Sequence, residues 1–122
     1  MATVLVIDDD QQIRRMVVRV LARDNHEVIE AGDGQEGLRL FNARRPALVI
    51  TDILMPEKEG IETIREIRAV APRVPILAMS GGGTSKTMVF LDSAKALGAD
   101  AALSKPFRAD ELIDAVNKLL QP

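Results

Sequence analysis

The chain reads as an α/β domain of five consecutive βα units, a (βα)5 arrangement around a parallel sheet. Three observations carry that reading. Short runs rich in β-branched residues alternate with stretches of helical periodicity five times along the 122 residues. Two of the runs, Val4–Ile7 and Ala47–Ile50, are apolar without interruption, as strands covered on both faces must be. With 47% apolar and 28% charged residues, the chain has the balance of a globular protein and enough length for one core, so 1–122 is expected to be a single domain.

The strands are expected near 3–7, 27–31, 47–51, 75–79 and 100–103. After Asp10, the residues Ile13, Met16, Val17, Val20 and Leu21 repeat at i, i+3, i+4, i+7 and i+8, the stripe of an amphipathic helix. The second helix starts at Asp33, a good N-cap with Glu36 three residues on. Ile61, Ile64, Ile67 and Val70 mark the third. Leu91, Ala94 and Leu97 mark the fourth, which Gly98 stops. Leu112, Ile113, Val116, Leu119 and Leu120 form the stripe of the last.

Composition removes several classes of function. A formal charge of −2 and only three aromatic residues (Phe41, Phe90, Phe107) speak against direct nucleic-acid binding. With no cysteine there is no disulfide or thiol chemistry. The N-terminal apolar run stops after four residues at three aspartates, so it is no signal peptide, and no stretch is long enough to span a bilayer. No membrane association and a cytoplasmic location are expected.

What remains is a constellation at the strand tips. Val4–Ile7 runs into Asp8-Asp9-Asp10, the run ending at Thr51 delivers Asp52, and Ala101–Ser104 runs into Lys105-Pro106. Open α/β sheets hold their ligands at these carboxyl ends. One or two of the first acids can cap the helix that follows. Three adjacent ones repel each other and point to a cation. Mg2+ suits oxygen donors, and the lone histidine, His26, reads as a solvated turn residue. Asp52 is then a candidate nucleophile or metal ligand, and Lys105 a point charge for a phosphoryl group. Ser80 offers a hydroxyl at a fourth tip, although a turn before Gly81–Gly83 explains it equally well. That glycine run lacks the following Lys-Ser/Thr of a P-loop.

In this order, Asp8-Asp9, Asp52-Ile53-Leu54-Met55-Pro56 with Gly60, Ser80, Gly98-Ala99 and Lys105-Pro106-Phe107 resemble the receiver domain of two-component response regulators over essentially the whole chain. The resemblance implies a doubly wound, flavodoxin-like sheet in the order 2-1-3-4-5. It implies that Asp52 accepts a phosphoryl group from a phosphohistidine of a sensor histidine kinase or histidine phosphotransfer protein. It further implies Mg2+ held by Asp8, Asp9, Asp52 and the main-chain carbonyl of Leu54, with Lys105 and Ser80 on the phosphoryl oxygens and a cis Lys105-Pro106 bond. The first helix, with Ile13, Met16, Arg14 and Arg15, is expected to dock the donor.

The sequence departs from the family at Ala102, where a large switch residue is usual, and in the glycine-containing segment after Ser80. A graded response concentrated in Ser80, Gly81–Gly83 and the next helix is therefore expected. Output is expected through contacts with an unidentified protein target, unless the chain is a piece of a larger regulator. A haloacid-dehalogenase-like Mg-dependent phosphatase is the alternative, since Asp8-x-Asp10, Ser80 and Lys105 partly imitate its motifs. It leaves Asp52-x-x-Met-Pro unexplained. An FMN carrier is disfavoured by the acidic first loop.

Overall fold

The computed structural model describes residues 2–53, 59–81 and 98–121. In chain order these form β1 (Thr3–Ile7), α1 (Gln11–Ala22), β2 (Glu27–Ala31), α2 (Gly34–Arg44), β3 (Leu48–Asp52), α3 (Glu59–Val70), β4 (Ile76–Gly81), β5 (Ala101–Lys105) and α4 (Ala109–Leu120). The strands make one sheet in the order β2-β1-β3-β4-β5, with every neighbouring pair parallel. Class and strand order are those expected. The expected helix around Leu91, Ala94 and Leu97 lies outside the described residues, as do Leu54, Met55 and Pro56.

Alternation along the strands divides the core in two. Leu5 and Ile7, Val49, and Ile76 and Ala78 face the helical layer of α2 and α3, where Phe41, Ile64 and Ile67 are buried. Val4 and Val6, Leu48 and Ile50, and Leu77 and Met79 face α1 and α4, against Val17, Val20, Leu21, Leu112 and Val116. Successive strand residues point to opposite faces, so an unbroken apolar run feeds both layers at once. Each fully buried Leu, Ile or Val stabilises the fold by about 1.5–3 kcal/mol. The pairs Arg39–Glu36, Arg44–Glu27 and Arg108–Asp110 lie in solvent, which screens them, so the two cores decide stability.

Helix starts follow local chemistry. Asp10 caps α1 by accepting from the Gln12 N–H at 2.8 Å, and Asp33 caps α2 by accepting from the Glu36 N–H at 2.8 Å. Gly60 shows how tightly α3 enters. A Cβ there would lie 2.5 Å from Ile53 Cα and 2.9 Å from Ile53 C, and closer still to the Asp52 carbonyl oxygen. The missing side chain lets α3 start directly against the end of β3.

Three expectations need correction. Val70 is 50% exposed, because the buried stripe runs from Ile64 and Ile67 to Ala71, which packs on the core in its place. His26 is half-buried, and its Nδ1 accepts from the Ala2 N–H at 3.1 Å, tying the start of the chain to the turn before β2. The last two strands also run further than expected: Ser80 pairs with Ser104, and Gly81 with Lys105, inside the ladder.

At the opposite end of the sheet Arg68 acts as a clasp. It donates to the carbonyls of Ala71, Pro72, Val74 and Gly98 at 3.3, 2.9, 2.7 and 2.6 Å, and pairs with Asp100 at 3.0 Å. Asp100 in turn accepts from the Ile76 N–H at 2.8 Å. One guanidinium thus satisfies the end of α3 and fixes the entries to β4 and β5.

Gly60→Ala is expected to destabilise the protein by about 1–3 kcal/mol in urea unfolding, because the new methyl meets backbone that cannot rotate away. An unchanged midpoint would show that the junction of β3 and α3 is looser than described.

Candidate functional site

The site residues are continuations of the two-faced core pattern. Asp8 stands two residues beyond Val6, Asp52 two beyond Ile50, and Lys105 two beyond Leu103, and all three predecessors belong to the layer beneath α1 and α4. Because Ile7 pairs with Thr51, Asp8 and Asp52 leave adjacent strands at the same level. Ser80 has the other parity, two residues beyond Ala78.

Asp8 is fully buried, and every polar group it carries is engaged. Its N–H donates to the Ala31 carbonyl at 3.1 Å. Its carbonyl accepts from Arg14 Nη1 at 2.6 Å, and Oδ1 accepts from the Asp10 N–H at 2.9 Å. Oδ2 accepts from Lys105 Nζ at 2.6 Å, across 97 positions of sequence. The same ammonium lies 3.6 Å from Asp52 Oδ2, and Asp52 is itself buried. Oxygens of Asp8, Asp9 and Asp52 all lie within 4.8 Å of one another, with Asp9 at the solvent edge.

Burial pushes the Asp8 carboxyl above its usual pKa, opposed by the hydrogen bond from Lys105 and that from the Asp10 amide, with the nearby Asp52 charge adding to the rise. Three carboxylates face one ammonium, leaving two negative charges if all are ionised. A divalent cation with oxygen preference fits this donor set. The Ser80 hydroxyl is buried with no hydrogen-bond partner among the described residues. An unpaired buried hydroxyl costs about 1–3 kcal/mol, so Ser80 is a donor available to an incoming oxygen.

The structure brings Asp8, Asp9, Asp52 and Lys105 together, places Ser80 on the neighbouring strand end, and contains the expected cis Lys105-Pro106 bond. Phe107, next in the chain, is buried against α4's layer. Leu54 and the segment from Gly82 onward lie outside the described residues. Asp10 is the helix cap and does not join the carboxylate cluster. Arg14, expected on the docking face, is turned inward to Asp8 and Glu30, whereas Arg15 is exposed. Sequence reasoning misses Arg14 as part of the site, because nothing in its helical spacing separates an inward arginine from a solvated one.

The model of the response regulator receiver domain family matches residues 4–117. The chain belongs to this family. Response regulators named MprA from Mycolicibacterium vanbaalenii and Mycobacterium ulcerans are 35% and 34% identical to it over 119 residues, 97% of this chain and 50% of each relative. The chain therefore spans about half the length of the curated relatives it matches. Among solved structures, the receiver domain of NtrX from Brucella abortus superposes with a TM-score of 0.89 at 34% identity, covering 96% of this chain and 97% of that one. The chemotaxis response regulator CheY4 of Vibrio cholerae gives 0.86 at 32% identity, covering 98% and 99%. This receiver domain is thus a two-component signalling module with the flavodoxin-like fold. Among the described residues, no helix is long and apolar enough to cross a membrane.

The raised Asp8 pKa predicts a pH effect in metal-free buffer. The folded protein keeps the Asp8 proton to higher pH than the unfolded chain, whose value is the usual 3.8. This stabilising contribution is full below that value and is lost as pH rises through the folded pKa. In EDTA, the stability of the wild type relative to Asp8→Asn should therefore fall with rising pH and then level off. Urea midpoints across the acid-to-neutral range measure it; a constant difference would mean that Lys105 fully offsets burial.

Proposed function

We propose that this receiver domain accepts a phosphoryl group on Asp52, with Mg2+ held by Asp8, Asp9 and Asp52 and completed by the Leu54 carbonyl. The observation that carries the reading is the convergence of the three carboxylates and Lys105 at the carboxyl ends of β1, β3 and β5. The donor is a phosphohistidine of a sensor histidine kinase or histidine phosphotransfer protein, as the membership of the family suggests. The phosphorylated form changes the protein's contacts with a downstream protein target.

Phosphoryl transfer needs positioning and charge neutralisation more than covalent chemistry. An Asp52 carboxylate oxygen forms the new bond to phosphorus as the donor's N–P bond breaks, and the departing imidazole takes up a proton. When bound, Mg2+ neutralises charge on the phosphoryl oxygens and on the clustered carboxylates. Lys105 is poised to neutralise the same oxygens. It holds Asp8 at 2.6 Å with Asp52 at 3.6 Å, and it exchanges Asp8 for a phosphoryl oxygen as charge accumulates at Asp52. Ser80 donates its unspent hydrogen bond to another phosphoryl oxygen, worth roughly 1.5–3 kcal/mol when charge-assisted. A nearly complete two-state flip needs about 5.5 kcal/mol. Ala102, paired with Ala78 and partly buried, has no bulk to rotate in behind Ser80 and adds little to that sum.

The dehalogenase-like phosphatase is not supported. It requires Asp10 beside Asp8 in the reacting centre, whereas Asp10 is spent on the Gln12 amide and Asp52 takes that place.

Incubation with a small-molecule phosphodonor and Mg2+ should add one phosphoryl group by intact mass, and Asp52→Asn should abolish it. Labelling of Asp52→Asn to the same extent would remove Asp52 from the role. Omitting Mg2+, or replacing Asp9 by Ala, should slow labelling by at least about tenfold, the scale of losing a metal site's support. Full labelling of Asp9→Ala in excess EDTA would refute the metal assignment.

A further inference from the structure

Arg14 sits at the corner between the β1–α1 and β2–α2 junctions. Its side chain is only 16% exposed, although it lies on a surface helix. Nη1 donates to the Asp8 carbonyl at 2.6 Å, and Nε donates to Glu30 Oε1 at 3.2 Å. The guanidinium packs beside Gly32, where a Cβ would stand in ordinary van der Waals contact, 3.6 Å from Nη1. The Asp8 N–H is held by Ala31, so both backbone polar groups of Asp8 are tied to β2 and its flank, one directly and one through the guanidinium.

We infer that Arg14 is a positioning residue for the metal site, a planar brace that fixes the Asp8–Asp9 main chain against β2 and so sets the spacing of the carboxylates. The inference rests on the Mg2+ reading proposed above. A guanidinium can hold two acceptors at fixed angles, which a lysine ammonium cannot do with the same geometry. Mg2+ demands near-ideal octahedral placement of its oxygens, whereas Ca2+ accepts varied number and distance. A brace that fixes spacing therefore favours Mg2+ over Ca2+. A guanidinium acting only through its positive charge would do the opposite: removing it would strengthen binding of both ions.

The test is a pair of titrations, with Mg2+ and with Ca2+, followed by NMR shifts of the Asp8 and Asp9 amides in the full chain. Wild type, Arg14→Met and Arg14→Lys are compared, with urea unfolding to establish that each is folded. Arg14→Met should lose about tenfold in Mg2+ affinity, the effect typical of removing a support behind a ligand, and less in Ca2+ affinity. Arg14→Lys, which keeps the charge, should shift the Mg2+/Ca2+ ratio in the same direction. Asp8 amide exchange should quicken in both variants. An unchanged ratio, or tighter binding of both ions by Arg14→Met, overturns the inference. If Arg14→Met does not fold, Arg14→Lys and Glu30→Ala decide by the same ratio. Failure of the wild type to bind Mg2+ would instead bring down the underlying metal reading.

Discussion

A buried carboxylate holds this molecule's working end together. Asp8 lies entirely out of solvent, a placement that costs several kcal/mol for an isolated ion and is tolerated only because its partners are complete. Its amide meets β2, its carbonyl meets a side chain of α1, one carboxylate oxygen meets its own loop and the other meets the end of β5. Four separate parts of the chain must be in place before this group is satisfied. Such a residue stabilises less than an apolar one would, but it admits very few alternative arrangements of the strand ends.

The sheet makes this convergence possible. Parallel pairing of β1 with β3 brings Asp8 and Asp52 to one level, and the β3–β4–β5 ladder brings Lys105 within reach two strands away. Strand parity does the rest, since the layer that buries Val6 and Ile50 and packs against the half-buried Leu103 aims the acids and the lysine to the same side. At the far end Arg68 fastens α3 to the starts of β4 and β5. The strands are thus anchored by a charged clasp at one end and joined by an ion pair at the other, with apolar packing between.

Much of this was legible in the chain. Uninterrupted apolar runs mark buried parallel strands because both faces are covered, and acids at helix starts mark caps because four amides there need acceptors. The strand-tip aspartates and the lysine were visible because polar chemistry directly after a buried run has few structural uses. Less was readable where the outcome depends on partners distant in sequence. Arg68 and Arg14 look like ordinary exposed helix arginines, and only the fold supplies the carbonyls they bind. Val70 fits the apolar spacing as well as Ala71 does, so the turn of the helix on the sheet had to choose between them. The extra rungs at Ser80 and Lys105 depend on two strands extending each other, which neither segment encodes alone.

The separation of 97 positions between Asp8 and Lys105 has a bearing on synthesis. Chains emerge from the ribosome N-terminus first, and contacts of long span are the last to form. A nascent polypeptide that has appeared as far as Ser80 already contains all the acids of the cluster, but lacks the ammonium that reconciles the buried pair. Lys105 reaches Asp8 and Asp52 only when β5 pairs along the edge of β4. Docking of β5 therefore does two things at once: it completes the sheet and carries Lys105 to the acids.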